Sequence, residues 1–296
     1  MPDATAPNNL NCFAYIKRLK RDPAESKADA GKVVLIGGAP GMAGAIVLAG
    51  KACLHLGAGW TVLEMLDAAS AHLVPEQAEL MVRFAKPDAA IELAELKPDC
   101  IAIGPGLGNF LAAMDWLTAV LAYPAIPLII DADALNLISQ NETLLQRLRN
   151  RNQAFPLLTV LTPHPGEAAR LLNSTGTQVQ DDRIASIRAL VELTRSIVIL
   201  KGQHTLIASP AHTPLQCLQG NAGMATGGMG DVLTGSIAAL AAQGIRHELD
   251  LWEASCLAVE LHASAADALV NQGVGPIGLT PTELILEMRS VLNQNY

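Results

Sequence analysis

From Lys32 onward short apolar runs recur, each closed by Gly, Asp, Pro or a polar residue: KVVLIGG (32–38), WTVLE (60–64), DCIAIGPG (99–106), PLIIDAD (127–133), LLTVLTPH (157–164) and SIVILKG (196–202). They are rich in β-branched residues and apolar without alternation, as strands are when both faces of a parallel sheet are covered. Between them lie helical stretches at 42–57, 109–122, 142–149, 165–172 and 179–194. Strand alternating with helix predicts βαβ units with right-handed crossovers. Beyond residue 231 the chain turns mostly helical, through DVLTGSIAALAAQG, LWEASCLAVELHASAADALV and TPTELILEMRSVL. No internal repeat, low-complexity tract or mid-chain linker interrupts this rhythm. The expected architecture is one doubly wound α/β domain over 31–296, a mostly parallel sheet with helices on both faces. Residues 1–30, polar apart from CFAYIKRLK, are expected to be a tail or lead-in.

Composition narrows the function classes. A net charge of −8 and an aromatic content of 3 % argue against a nucleic-acid surface, which needs a basic stripe and stacking rings. The five cysteines (Cys12, Cys53, Cys100, Cys217, Cys256) are scattered and never spaced CxxC, which fits reduced thiols better than a disulfide or zinc framework. MPDATAPNN lacks the basic-then-apolar layout of a signal peptide. No apolar run approaches the roughly 20 residues of a membrane helix. A soluble cytoplasmic protein is expected.

The chemistry concentrates where strands end. GGAPG, GPGLG, DADALN, TPHPGE and KGQHT each follow an apolar run, and open α/β sheets bind ligands beyond the carboxyl ends of their strands. The longest unusual segment is GNAGMATGGMGDVLTG (220–235), a glycine-rich loop running into a helix. Glycines let a backbone approach a ligand closely, and a helix N-terminus offers free N–H groups to an anion. The plainer reading is a tight turn at Gly227, Gly228 and Gly230, with Asp231 complementing the first helical turn. A Walker loop is excluded, because Ala45 stands where Gly50-Lys51 would need its first glycine. GPGLGN fails the dinucleotide fingerprint at Asn109. An Asp beside an anion hole repels phosphate, yet it suits removal of a proton from a hydroxyl that attacks phosphorus.

The 220–235 segment resembles the GxGD anion-hole loop of the ribokinase-like superfamily. Together with GPGLG, DADALN, LTPHPGE, VILKGQHT and GLTPTELI, it makes the chain from about residue 31 to its end similar to the ADP/ATP-dependent NAD(P)H-hydrate dehydratases. The resemblance implies a ribokinase-like fold and repair of NADHX and NADPHX, with ADP or ATP as co-substrate and Mg²⁺ carried on phosphates. It implies Asp231 as the base and an anion hole at Gly228, Met229 and Gly230. It also implies an adenine-nucleotide site at Lys201, Gly202, Gln203, His204, Thr205 and Gly230, and substrate contacts at Ala45, Gly106, His164 and Asp231. Relatives form homotetramers, and some carry an epimerase domain that thirty residues cannot hold, so a separate epimerase is the expected partner. The first loop departs from the family's Ser-Gly-Ala-Pro run, reading Ala43-Gly44-Ala45-Ile46.

Several of these residues keep a second reading. His164 is a ligand contact or a helix cap, and Lys201 a nucleotide contact or a solvated charge. Asp131, Asp133 and Asn136 position magnesium or phosphate, or cap a helix. Glu167 reads as first-turn dipole complementation, and the His204 side chain is free to point away from the nucleotide. His55 and His262 lie in apolar helices and read as packed. The rival activity is a kinase of a hydroxymethyl-pyrimidine or hydroxyethyl-thiazole, which would use the same loop and Asp. A non-catalytic nucleotide sensor is disfavoured, since it has no need of Asp231.

Overall fold

The computed structural model describes residues 7–72 and 77–296. The first six residues, part of the lead-in and of the leader reading, lie outside them. Ten strands form one sheet: β1 (Asn8–Asn9), β2 (Lys32–Gly37), β3 (Trp60–Met65), β4 (Met81–Phe84), β5 (Cys100–Ile103), β6 (Leu128–Ile130), β7 (Thr159–Leu161), β8 (Ile197–Leu200), β9 (Leu206–Ser209) and β10 (His212–Gln216). Their order across the sheet is β1-β10-β9-β8-β7-β6-β5-β2-β3-β4. From β8 through β4 every pairing is parallel, and β9 alone runs against its neighbours β8 and β10.

Twelve α-helices accompany the described strands: α1 (Ala43–His55), α2 (Ala68–Ala71), α3 (Ala89–Leu96), α4 (Leu111–Ala122), α5 (Ala132–Gln140), α6 (Glu142–Ala154), α7 (Pro165–Leu171), α8 (Gly176–Asp181), α9 (Arg183–Thr194), α10 (Met229–His247), α11 (Leu251–Asn271) and α12 (Pro281–Gln294). Side chains alternate across a strand, so each continuous apolar run supplies two cores. Val33 and Leu35 of β2 face a layer built by α1, α10, α11 and α12, whereas Val34 and Ile36 face one built by α3, α4, α5, α6, α7 and α9. The doubly wound architecture read from the sequence is the one observed.

Three local outcomes differ from the sequence reading. β4 was not expected: it is an edge strand with Phe84 53 % exposed, and MVRF lacks the continuous apolar signal of a central strand. β9 and β10 form an antiparallel hairpin after KGQHT, also missed. PLIIDAD does not continue as strand to residue 133, because β6 ends at Ile130 and α5 begins at Ala132. The lead-in is no free tail over its described residues. β1 pairs with β10, and a 3-10 helix at Phe13–Leu19 buries Ile16 and Leu19 in the core that α10 and α11 share.

The sheet reverses its order at β2, which lies between β5 and β3. At such a switch point the loops after two neighbouring strands part and leave a crevice. Here those loops are GGAPG after β2 and GPGLG after β5.

Candidate active site

The crevice is lined by backbone. Ala39 N–H donates to Gly106 O at 2.7 Å, tying the two loops together. Gly106 is buried with φ +60°, and a Cβ there would stand 2.5 Å from Met42 O and 3.3 Å from the Ala45 Cβ. Ala45 and Gly106, distant in sequence, are therefore neighbours at the start of α1.

The second wall is the start of α10. Gly228 occupies its N-cap with φ +97°, a conformation open to glycine at little cost. A Cβ there would lie 2.5 Å from Leu48 Cδ1 and 3.0 Å from Pro281 Cγ, so the turn is pressed against α1 and α12. The N–H groups of Gly228, Gly230 and Asp231 find no acceptor among the described residues, as expected of a helix start. Met229 N–H makes a long 3.4 Å bond to Thr226 O. Deeper in α10, a Cβ on Gly235 would overlap Ala49 O, so this helix and α1 touch backbone to backbone.

Charged side chains complete the floor. The Asp131 carboxylate, 1 % exposed, stands at the N-cap of α5 but does not cap it. Its Oδ1 accepts from Lys201 Nζ at 2.8 Å and its Oδ2 from Thr234 Oγ1 at 2.7 Å. Lys201, at the end of β8, also has Glu167 Oε2 at 4.0 Å. Burial opposes its charge, yet Asp131 and Glu167 hold its pKa above the usual lysine value. A Cβ on Gly230 would come within 3.2 Å of Lys201 Nζ, which places the glycine loop and the lysine side by side. Asp231 shares this field: burial and then the negative charge of Asp131 push its carboxyl up to about 7, while Lys201 pulls the other way. A carboxylate so held is a base matched to neutral pH.

The remaining expected residues fall as follows. His164 is the N-cap of α7: its Nδ1 accepts from Gly166 N–H at 2.9 Å and Glu167 N–H at 3.3 Å, while Glu167 Oε2 accepts from His164 N–H at 2.8 Å. Both residues thus cap, and half of the His164 side chain stays exposed beside the crevice-lining acids. Burial, then Lys201 and Arg170, keep that imidazole below its usual pKa. Asp133 accepts from Gly108 N–H at 2.9 Å and braces the GPGLG loop, whereas Asn136 accepts from Arg170 at 2.9 Å and ties α5 to α7. Gly202, Gln203 and His204 are exposed beyond β8, and Thr205 donates to Gly202 O at 3.1 Å. His262 is buried as expected, whereas His55 is only partly covered and receives a 3.2 Å bond from Arg289.

Sequence reasoning missed Thr234 and Arg183. Thr234 lies three residues after Asp231 on the same helix, a spacing that puts both on one face and was legible. Arg183, at the start of α9, donates to Leu200 O at 2.9 Å and Lys201 O at 3.3 Å, steadying the strand end that carries the lysine. No local signal marks it.

Comparison with known proteins shows the family. The family model for NAD(P)H-hydrate dehydratase matches residues 33–289. An ADP-dependent (S)-NAD(P)H-hydrate dehydratase of Neisseria meningitidis is 37 % identical over 286 residues, covering 95 % of this chain and 91 % of that protein. A bifunctional NAD(P)H-hydrate repair enzyme of Escherichia coli is 37 % identical over 273 residues, which are 92 % of this chain and 50 % of that enzyme. The chain spans about half the length of the bifunctional relatives it matches. Among solved structures, an ADP/ATP-dependent NAD(P)H-hydrate dehydratase from Bacillus subtilis, co-crystallised with ATP/Mg²⁺, superposes with a TM-score of 0.84 at 27 % identity, over 99 % of this chain and all of that one. The glycine loop, the crevice at β2 and β5 and the Lys201–Asp131 pair all fall within the matched span, and this chain belongs to the NAD(P)H-hydrate dehydratase family.

Proposed function

We propose that the chain dehydrates (6S)-NADHX and (6S)-NADPHX to NADH and NADPH, with ADP or ATP as phosphoryl donor. The observation that carries this reading is Asp231, a carboxylate raised to about 7 in the first turn of a helix with unbonded N–H groups. Hydroxide leaves a ring carbon poorly, and a phosphate ester leaves readily. The ring hydroxyl gives its proton to Asp231 as its oxygen bonds to the terminal phosphorus. The bond from that phosphorus to its bridging oxygen breaks, releasing AMP from ADP or ADP from ATP. Charge on the transferring group is met by the N–H groups of Gly228, Met229 and Gly230. Phosphate then departs with its C–O electrons, a proton leaves the neighbouring carbon, and the double bond returns.

Ala45, Gly106 and His164 take the hydrated nicotinamide nucleotide, and Lys201 to Thr205 with Gly230 take the adenine nucleotide. Both Asp131 oxygens are committed to Lys201 and Thr234, which favours a Mg²⁺ held by phosphate oxygens over one held in a protein cage. Bound there, the ion neutralises phosphate charge. We place the reaction in the cytoplasm, in a homotetramer, with a separate NAD(P)HX epimerase supplying the reactive epimer. The described helices include none long and apolar enough to cross a membrane.

The test supplies hydrated NADH with Mg²⁺ and either ADP or ATP. Recovery of reduced-nicotinamide absorbance, with AMP formed from ADP, is the expected result. No recovery with either nucleotide, alongside phosphorylation of a hydroxymethyl-pyrimidine or hydroxyethyl-thiazole, would transfer the chain to the kinase reading.

A further inference from the structure

Both ends of the glycine loop are hydrogen-bonded to side chains of one helix, α11. At the loop's start Gly220 N–H donates to Asp267 Oδ2 at 2.8 Å, and Asn221 Nδ2 donates to Asp267 Oδ1 at 2.9 Å. Asn221 in turn accepts from Gly223 N–H at 3.0 Å, starting the turn. At the loop's end His262 Nε2 lies 3.0 Å from Met229 O. A carbonyl only accepts, so Nε2 carries the proton and the ring is the donor. His262 and Asp267 both belong to α11, and His262 is 7 % exposed. Burial lowers the pKa of His262 to about 4, against the smaller opposing pull of the Met229 carbonyl, so at neutral pH the donor is the uncharged Nε2–H tautomer.

We infer that His262 and Asp267 are positioning residues for phosphoryl transfer, clamping the two ends of the 220–231 segment to α11 so that the Gly228–Gly230 N–H groups hold their direction. Neither side chain is assigned a contact with a ligand. Each acts through the loop: Asp267 holds its entrance, and His262 the carbonyl of the first residue of α10. A glycine-rich segment loses much backbone freedom on ordering, so an anion hole built from it needs anchors beyond its own sequence. Transition-state stabilisation by N–H groups depends on their being aimed before charge develops. The inference rests on the proposed use of that loop as an anion hole.

Two readouts separate it from that reading. The first is amide hydrogen exchange of the ligand-free chain. His262→Leu and Asp267→Ala are each expected to speed exchange at the hydrogen-bonded amides of the segment, among them Gly223, Met224, Ala225 and Met229, by about tenfold or more, leaving the middle of α11 unchanged. The second is steady-state turnover of hydrated NADH at saturating nucleotide. His262→Leu is expected to lower kcat by about tenfold or more, with nucleotide KM within about threefold of the parent. His262→Gln, which keeps an N–H donor, is expected to recover most of that loss. Unchanged exchange in both variants overturns the inference, as does a glutamine variant no better than leucine. Should His262→Leu fail to fold, Asp267→Ala at the part-exposed entrance decides alone. A parent chain without turnover would sink the proposed function, while the exchange arm would still judge the clamp.

Discussion

Lys201 Nζ lies 2.8 Å from Asp131 Oδ1, joining the end of β8 to the end of β6 across 70 residues of chain. The other oxygen of the same carboxylate is held by Thr234, so the pair also ties the sheet to α10. One buried acid thereby links two strand ends to α10 and contributes the field in which Asp231 titrates.

Removing the lysine isolates that acid. Lys201→Met leaves Asp131 buried without its counter-charge, and breaking such a pair typically costs about 3–5 kcal/mol. Chemical denaturation at neutral pH is expected to show a loss of roughly that size. Because Lys201 lowers the pKa of Asp231, the same variant is expected to shift the midpoint of any residual pH–rate profile upward. A variant as stable as the parent would show that the pair is solvated in solution.

Asp231→Asn deletes a base but keeps the shape and the helix. Turnover is expected to fall by about 10²-fold or more, with nucleotide affinity within a few-fold of the parent. Binding by titration calorimetry and single-turnover kinetics check the two halves separately. Near-normal turnover would assign the proton transfer elsewhere.

The pH dependence follows from the sign of the same shift. The base form of Asp231 is needed, so kcat/KM is expected to rise through pH of about 7 and level off above it. Stability runs the other way. A carboxyl whose folded pKa is raised favours folding below its unfolded pKa, and that contribution is lost as pH rises through the folded value. The window is therefore from about 4 up to about 7, with an upper bound of ~4 kcal/mol for a shift of this size. Asp231→Asn is expected to be more stable than the parent at pH ~8 and equal to it at pH ~3, as thermal melts at both values would reveal.

Adjacent glycines are expected to respond differently. Gly228 combines positive φ with close approach to Leu48 and Pro281, so Gly228→Val is expected to lose both stability and rate. Around Gly227 a Cβ would meet no protein atom within 4 Å. Gly227→Val is therefore expected to melt like the parent yet raise the nucleotide KM, because the open space belongs to the ligand. An unaltered KM would move the phosphate site away from this loop.

Much of the fold and part of the site were legible along the chain. Continuous apolar runs declared buried parallel strands, Gly and Asp marked their ends, and GGMGD announced a helix start with one acid in its first turn. Those signals are local, because strand burial, turn chemistry and helix capping depend on residues a few positions apart. Strands β4 and β10 escaped because partly exposed strands carry no continuous apolar run, and β9, though buried, offers only the four residues LIAS. The tertiary structure alone decided that Asp131 pairs with Lys201 instead of capping α5, that His164 spends its Nδ1 on α7, and that Ala45 meets Gly106. It alone set the titration of Asp231 and brought α11 to both ends of the glycine loop. Burial and charge pairing across 70 or 103 residues arise only when packing brings distant segments together, and no local pattern encodes which partner a side chain will find.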